Sequence, residues 1–264
     1  MLGDVRPATS ETTEPASLAD RYRAVKQRVS DAAARSGRQE KDVIVVAVSK
    51  YSSIDQIREL VRLGHTDFGE NQVQQLIQRA AQMDEYLTRF RELHRDQPAD
   101  RMPQVRWHMV GHLQRNKVKK ALPIVRLVHS VDSLRLAEEI QTAGTRLDTP
   151  VEVLVQVNVS NERQKYGIAP AATRHLLDQI DTMLNIRARG MMAMAPLSEN
   201  PEDARPVFTR AAELFEEIRK HRKGERFDIL SMGMSNDFEV AIECGANMVR
   251  VGSAIFGDKT ETDD

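Results

Sequence analysis

Val43-Ile44-Val45-Val46-Ala47-Val48 is a short, mostly β-branched run with apolar residues at both parities. A strand with one wet face alternates apolar and polar residues, whereas a strand covered on both faces is apolar throughout. The run therefore reads as a strand of a parallel sheet, and the chain on either side of it decides which kind. Downstream, residues 54–63 have a helical spacing and end at Gly64, a suitable C-terminal cap. Thr66-Asp67-Phe68-Gly69 reads as a second short strand, and Asn71 opens a second helix. The alternation continues with strands at 105–110, 127–130, 151–157, 188–192, 228–230 and 248–251. Helices are expected from about Leu113, from Ser133, over 171–184, from about Asp203 and from Ser235, with a short one from Ser253. Upstream, Leu18, Tyr22, Val25 and Val29 recur on one face of a helix over 18–35.

Strict βα alternation demands a parallel sheet. Eight units predict a single (β/α)8 TIM-type barrel carrying an extra N-terminal helix. The rival, an open Rossmann sheet, would place G-x-G-x-x-G after the first strand, and the sequence lacks it there. The barrel is expected over 18–257. Residues 1–17, rich in Pro, Thr, Ser and Glu, read as a disordered tail, and 258–264 as a short C-terminal tail. The polar segment from about Leu93 to Gln104 reads as a surface loop.

A chain of 264 residues is close to one complete α/β barrel. With 38 basic and 39 acidic side chains, the net charge is −1, so no global field favours nucleic acid or an anionic membrane. One cysteine, Cys244, excludes an internal disulfide and fits a reducing compartment. No apolar run approaches a membrane span. The first residues lack the basic start and apolar core of a signal peptide, so a cytoplasmic location is expected.

Two stretches near the C-terminus place small residues after an apolar run and before a helical pattern. They are Ser231-Met232-Gly233-Met234-Ser235-Asn236 and Val249-Arg250-Val251-Gly252-Ser253-Ala254-Ile255-Phe256-Gly257. Small residues let the backbone approach a ligand, and a helix start offers unpaired N–H groups to an anion. In a barrel these are the exits of strands 7 and 8, the usual phosphate position. Lys50 sits at the matching exit of strand 1. Desolvation favours the neutral amine, and a neutral amine adds to an aldehyde. Position alone leaves a second reading open, a surface lysine whose stem covers a strand end. Arg250 lies inside an apolar strand and must be paired or hydrogen-bonded; a structural ion pair with a barrel carboxylate is its alternative. Taken together, an aldehyde-reactive lysine, a phosphate cup and a cation between them match pyridoxal 5′-phosphate (PLP), which has an aldehyde, a phosphate and a ring nitrogen.

Several stretches occur in family order over roughly residues 43–257. They are AVSKYSSIDQIREL (47–60), GHTDFGENQVQQL (64–76), WHMVGHLQRNKVKK (107–120), HSVDSLRLAEEI (129–140), VLVQVNVSNERQKYGI (153–168), RGMMAMAPL (189–197) and LSMGMSNDFEVAIECGANMVRVGSAIFG (230–257). By these the chain resembles the pyridoxal phosphate homeostasis protein family. That family is similar to the N-terminal barrel domain of alanine racemase, the fold type III of PLP proteins. The resemblance implies that Lys50 carries PLP as a covalent aldimine. It implies that Ser235, Gly252 and Ser253 contact the phosphate and that Arg250 faces the pyridine nitrogen. Asn71, Ser231 and Met232 match other positions near the cofactor. Relatives often carry threonine at position 253, and serine keeps the hydroxyl. They often carry a small residue where Tyr51 stands, so this tyrosine is expected to alter access beside Lys50.

The resemblance implies a PLP-binding protein of vitamin B6 homeostasis, expected to be a monomer, with PLP and either amino acids or apo PLP-dependent enzymes as partners. The alternative is an amino-acid racemase, whose second catalytic base in alanine racemase is a tyrosine on a further domain. The short tail after Gly257 leaves no room for that domain, so little turnover is expected, with Tyr51 and Tyr166 as candidate substitutes. A third reading is a barrel enzyme that uses Lys50 on a sugar-phosphate aldehyde.

Other candidates have simpler readings. His108 and His112, four apart, would suit a metal on one helix, but Gly111 and the strand pattern favour a structural or substrate-facing role. Asn116-Lys117-Val118-Lys119-Lys120 reads as a solvated helix face rather than a nucleic-acid contact. Cys244 reads as packed, and Met191, Met192 and Met194 as filling of the barrel core.

Overall fold

The computed structural model describes residues 16–93, 104–160, 166–222 and 226–257. The tails expected at 1–17 and 258–264 and the loop expected at about 93–104 lie almost wholly outside the described residues. Eight parallel strands close into a barrel in the order β1-β2-β3-β4-β5-β6-β7-β8. They are β1 (Ile44–Val48), β2 (Asp67–Glu70), β3 (Arg106–Met109), β4 (Val125–Val131), β5 (Val151–Val157), β6 (Ile186–Ala193), β7 (Ile229–Ser231) and β8 (Met248–Val251). Closure runs through β1 and β8, which pair Ile44 with Met248 and Val46 with Arg250.

The helices are α1 (Leu18–Arg35), α2 (Ile54–Arg62), α3 (Val73–Leu93), α4 (Val118–Ala121), α5 (Leu134–Gly144), α6 (Pro170–Asp181), α7 (Arg205–His221), α8 (Phe238–Glu243) and α9 (Ser253–Phe256). Local sequence sets their starts. Ser17 caps α1 by accepting from the Asp20 N–H at 3.2 Å. Ser53 and Gln56 form a reciprocal capping box on α2, and Pro170 opens α6. α1 buries Leu18, Tyr22, Val25 and Val29, as its spacing predicts. Among the described residues no helix is long and apolar enough to cross a membrane.

Both parities of the Val43–Val48 run are used. Val45 and Ala47 belong to the large layer between barrel and helices. Val46 belongs to a second, smaller cluster with Leu127, Leu154, Met192 and Met248, which fills the barrel interior. Ile44, at the start of β1, is 40% exposed, an exception to the expected burial because it stands at the barrel's open lower rim. The helices expected from Leu113 and Ser235 start later. Leu113 is followed by a 3-10 turn at Arg115–Lys117 before α4, and α8 begins at Phe238. In the second case Asp237 accepts from the Met234 N–H at 2.6 Å, which holds 234–237 as a turn.

Candidate functional site

The strand exits surround a cavity of about 480 Å³. Lys50 follows β1, Asn71 follows β2, His112 follows β3, and Ser235 follows β7; Arg250 projects from β8, with Gly252 and Ser253 after it. Six of the expected site residues therefore line one space: Lys50, Asn71, Ser235, Arg250, Gly252 and Ser253. Close backbone approach fixes the rim. A Cβ at Gly111 would lie 2.3 Å from the Asn71 carbonyl oxygen, so only glycine lets the β3 exit lie against the Asn71 loop.

The two C-terminal turns are joined by one hydroxyl. Ser235 Oγ accepts from the Gly252 N–H at 3.1 Å and from the Ala254 N–H at 3.4 Å. This is the juxtaposition that small residues at two successive strand exits suggest.

Arg250 is 5% exposed. Its Nη1 donates to Ser231 Oγ at 2.7 Å and its Nη2 to the Ala193 carbonyl at 3.1 Å. The ion pair considered as an alternative role for Arg250 is not made: among the described residues its partners are neutral oxygens. Burial pulls the guanidinium down to about 10, partly opposed by the charge of Asp237, so it remains a cation at neutral pH. Burial in turn raises the Asp237 carboxyl, while its hydrogen bond from Met234 and the field of Arg250 lower it. Lys50 Nζ sits 4.8 Å from the centre of the Tyr51 ring, within cation–π range.

Two expected residues stand elsewhere. Ser231 is wholly buried beneath Arg250 rather than in the cavity wall, because β7 turns its side chain into the barrel interior. Met232, at the next parity, packs into the layer under the helices. Met191 fills that layer as well, whereas Met192 and Met194 extend to the cavity wall. His108 faces the interior and His112 the rim, where its ring stacks on Tyr166 at 4.6 Å between centroids. The basic residues Lys117, Lys119 and Lys120 are exposed while Val118 packs inward.

Sequence reasoning passed over His129, Glu70 and Arg79. His129 was findable: it alternates with Leu127 along β4 and so shares the inward parity. Glu70 and Arg79 meet only through the fold. Arg79 reaches from α3 to Glu70 Oε1 at 2.5 Å.

Comparison with known proteins bears on this arrangement. Residues 20–260 match the family model described as alanine racemase, N-terminal domain. A pyridoxal phosphate homeostasis protein from Aquifex aeolicus is 36% identical over 91% of this chain and 97% of its own. The chain belongs to the pyridoxal phosphate homeostasis protein family. The human member of the family is 34% identical over 90% of this chain and 85% of its own. PipY of Synechococcus elongatus, solved with PLP bound, superposes with a TM-score of 0.73 at 30% identity, covering 91% of this chain and 100% of that one. Alanine racemase of Clostridium difficile shares the fold at a TM-score of 0.63 and 14% identity, over 93% of this chain and 58% of that one. Within the family's barrel, the residues described above occupy the C-terminal mouth, where barrel proteins carry their chemistry.

Proposed function

We propose that the protein holds pyridoxal 5′-phosphate in this cavity, with Lys50 as the covalent attachment point, and serves PLP homeostasis without robust turnover. The observation that carries the reading is the convergence of Lys50, Arg250 and the Ser235–Gly252–Ser253 turns on one space. The donor set fits the group: an amine for the aldehyde, a buried cation for the ring nitrogen, and hydroxyls with adjacent N–H groups for the phosphate. When bound, PLP supplies an amine-reactive aldehyde and an electron-withdrawing ring. Lys50 presents its amine at the open end of β1, beside Tyr51. Ser235 and Ser253 offer hydroxyls to the phosphate, and Gly252 lines the cavity between them. Arg250 has donors only, so it offers a hydrogen bond to the ring nitrogen and keeps that nitrogen unprotonated. A site that withholds the ring proton weakens the ring as an electron sink and so favours storage and release, with apo PLP-dependent enzymes as recipients. The names of the relatives, homeostasis proteins rather than enzymes, support the same reading.

The test is borohydride reduction of the PLP-loaded protein followed by peptide mapping. The reduced pyridoxyl group is expected on Lys50, and Lys50→Ala is expected to lose the visible absorption band while unfolding at the same denaturant concentration. A label on another lysine overturns the assignment. A protein that takes up no PLP but reacts with a sugar-phosphate aldehyde would favour the barrel-enzyme reading instead.

A further inference from the structure

Beneath the cavity, five polar side chains form a continuous line through the barrel interior. Asp67 Oδ1 lies 3.1 Å from His108 Nε2, and His108 Nδ1 lies 3.0 Å from His129 Nε2. His129 Nδ1 lies 3.2 Å from Ser231 Oγ, which accepts from Arg250 Nη1 at 2.7 Å. His129 and Ser231 are fully buried and His108 is 2% exposed, so water does not complete any of these links.

The chemistry of the ends sets the direction of every bond. Arg250 has no acceptor, so it must donate to Ser231. At the far end Arg106 Nη2 pairs with Asp67 Oδ2 at 2.6 Å and Arg106 Nε with Oδ1 at 2.9 Å. Those bonds and the one from His108 hold the Asp67 carboxyl well below its ordinary value against the cost of burial. An ionised carboxylate only accepts, so His108 carries its proton on Nε2. Burial and the charge of Arg250 hold His129 far below the ordinary histidine value, so it is neutral. If His108 also carried a proton on Nδ1, His129 would have to accept at Nε2 and donate from Nδ1. Ser231 would then receive two N–H donors in a dry interior and its own proton would have no acceptor in the line. The arrangement that satisfies all five groups has both histidines as the Nε2–H tautomer.

We propose that Ser231 and His129 are positioning residues for Arg250, at one end of a one-way hydrogen-bond chain that terminates on Asp67. The chain turns oxygen and nitrogen lone pairs toward the guanidinium at every step. It holds a buried cation whose hydrogen-bond partners are all neutral oxygens: Asp237 acts on the guanidinium through its field, and the carboxylate that ends the chain sits three side chains away. Ser231 and the Ala193 carbonyl then fix the guanidinium, which leaves its remaining donors for the cavity. The role at the ring nitrogen rests on the PLP reading above; the chain itself does not.

The experiment has two arms. In ligand-free protein labelled with 15N-histidine, the imidazole shifts of His108 and His129 at neutral pH are expected to report a bare Nδ1 and a protonated Nε2. A protonated Nδ1 on His129 overturns the chain. In the second arm the probe is 4′-deoxypyridoxine 5′-phosphate, which keeps the ring nitrogen and phosphate but cannot react with Lys50. Ser231→Ala is expected to weaken its binding about tenfold and to move the 15N shift of its ring nitrogen, with Ser231→Thr restoring both. Ser253→Ala is expected to leave that shift in place. An unmoved ring-nitrogen shift in Ser231→Ala overturns the positioning role. If the wild type fails to bind the probe, the PLP reading falls and the histidine tautomers alone decide the chain.

Discussion

Arg79 of α3 donates from Nη2 to the Ser52 carbonyl at 2.8 Å. Its other nitrogen, Nη1, donates to the Ser49 carbonyl and to Glu70 Oε1. The two carbonyls bracket Lys50 and Tyr51, so one guanidinium fixes the loop that carries the proposed attachment point. Ser49 Oγ donates to the same Glu70 oxygen at 2.5 Å, which ties the β1 exit to the β2 exit.

Removing Arg79 has two expected consequences. Glu70 is completely buried, and Arg79→Met strips its counter-ion. Breaking a buried pair from one side costs about 3–5 kcal/mol, which denaturant unfolding would register. Adding Glu70→Gln should recover much of that loss, because the stranded charge is gone. The double variant should still bind PLP more weakly than wild type, because the Lys50 loop has lost its clamp. Equal stability of Arg79→Met and wild type would mean the pair contributes nothing.

The phosphate side yields a second prediction. A Cβ at position 252 would meet the Val48 carbonyl oxygen at 3.2 Å and Val48 Cβ at 3.7 Å. Gly252→Val therefore presses β8 away from β1, two residues before Lys50, besides narrowing the cavity. Ser235→Ala removes the oxygen that gathers the Gly252 and Ala254 N–H groups. Each change should weaken PLP binding by about tenfold or more in an absorbance titration. Ser253→Ala should be milder, because its backbone N–H remains. Pyridoxal, which lacks the phosphate, should bind far more weakly than PLP to the wild type and lose little in Ser235→Ala. Equal wild-type affinity for the two would refute the phosphate assignment.

The barrel was legible in sequence because βα alternation is a repeated local signal. The bounds expected for β5, β8 and α1 match the observed elements Val151–Val157, Met248–Val251 and Leu18–Arg35. That six of the expected residues line one cavity was legible because five of them follow a strand and Arg250 lies near the end of one, where position in sequence fixes position on the barrel mouth. Ser231 and Met232, expected near the cofactor, do not line the cavity, a distinction of side-chain direction at the end of a three-residue strand. The Asp67–His108–His129 line was not legible. Its members come from three strands, and only closure of the barrel sets them within hydrogen-bond distance. The same holds for Arg79, which reaches the Lys50 loop across a helix–strand contact far apart in sequence.

His65 makes stability depend on pH. It lies between Tyr22, whose hydroxyl meets Nδ1 at 3.1 Å, and the Asp67 carbonyl, which Nε2 meets at 2.8 Å. A carbonyl only accepts, so the neutral ring donates from Nε2 and accepts from the Tyr22 hydroxyl. Burial pulls this histidine down to about 4, opposed by the bond to Asp67 and by its charge, and aided by Lys26. The unfolded chain takes up the proton near 6.5, whereas the folded one resists it until about 4. Stability contributed by the neutral ring is therefore full above about 6.5 and lost as the pH falls toward about 4. The loss is on the order of 3 kcal/mol. Unfolding free energies measured across this window should fall on acidification, and His65→Leu should flatten the slope while lowering the plateau. An unchanged slope in the variant would assign the effect to another group.

The last prediction concerns turnover. Racemisation requires a proton to leave one face of the substrate carbon and return to the other, so it needs a base on each face. Lys50 can serve one. On the rim, Tyr51 is 58% exposed and Tyr166 is 59% exposed, the latter stacked on His112. Both side chains are solvent-exposed, and an exposed residue is neither shielded from water nor held as a base in fixed geometry. In the proposed binding mode Arg250 withholds the ring proton that would draw charge from the substrate carbon. Incubating the PLP-loaded protein with a panel of L-amino acids in D2O should give Cα exchange and inversion far below the order of 1 per second. Tyr166→Phe should leave whatever exchange remains unchanged, whereas Lys50→Ala should abolish it. Lys50-dependent inversion at ordinary enzymatic rates, lost in Tyr166→Phe, would instead make the rim tyrosine the second base and the protein a racemase.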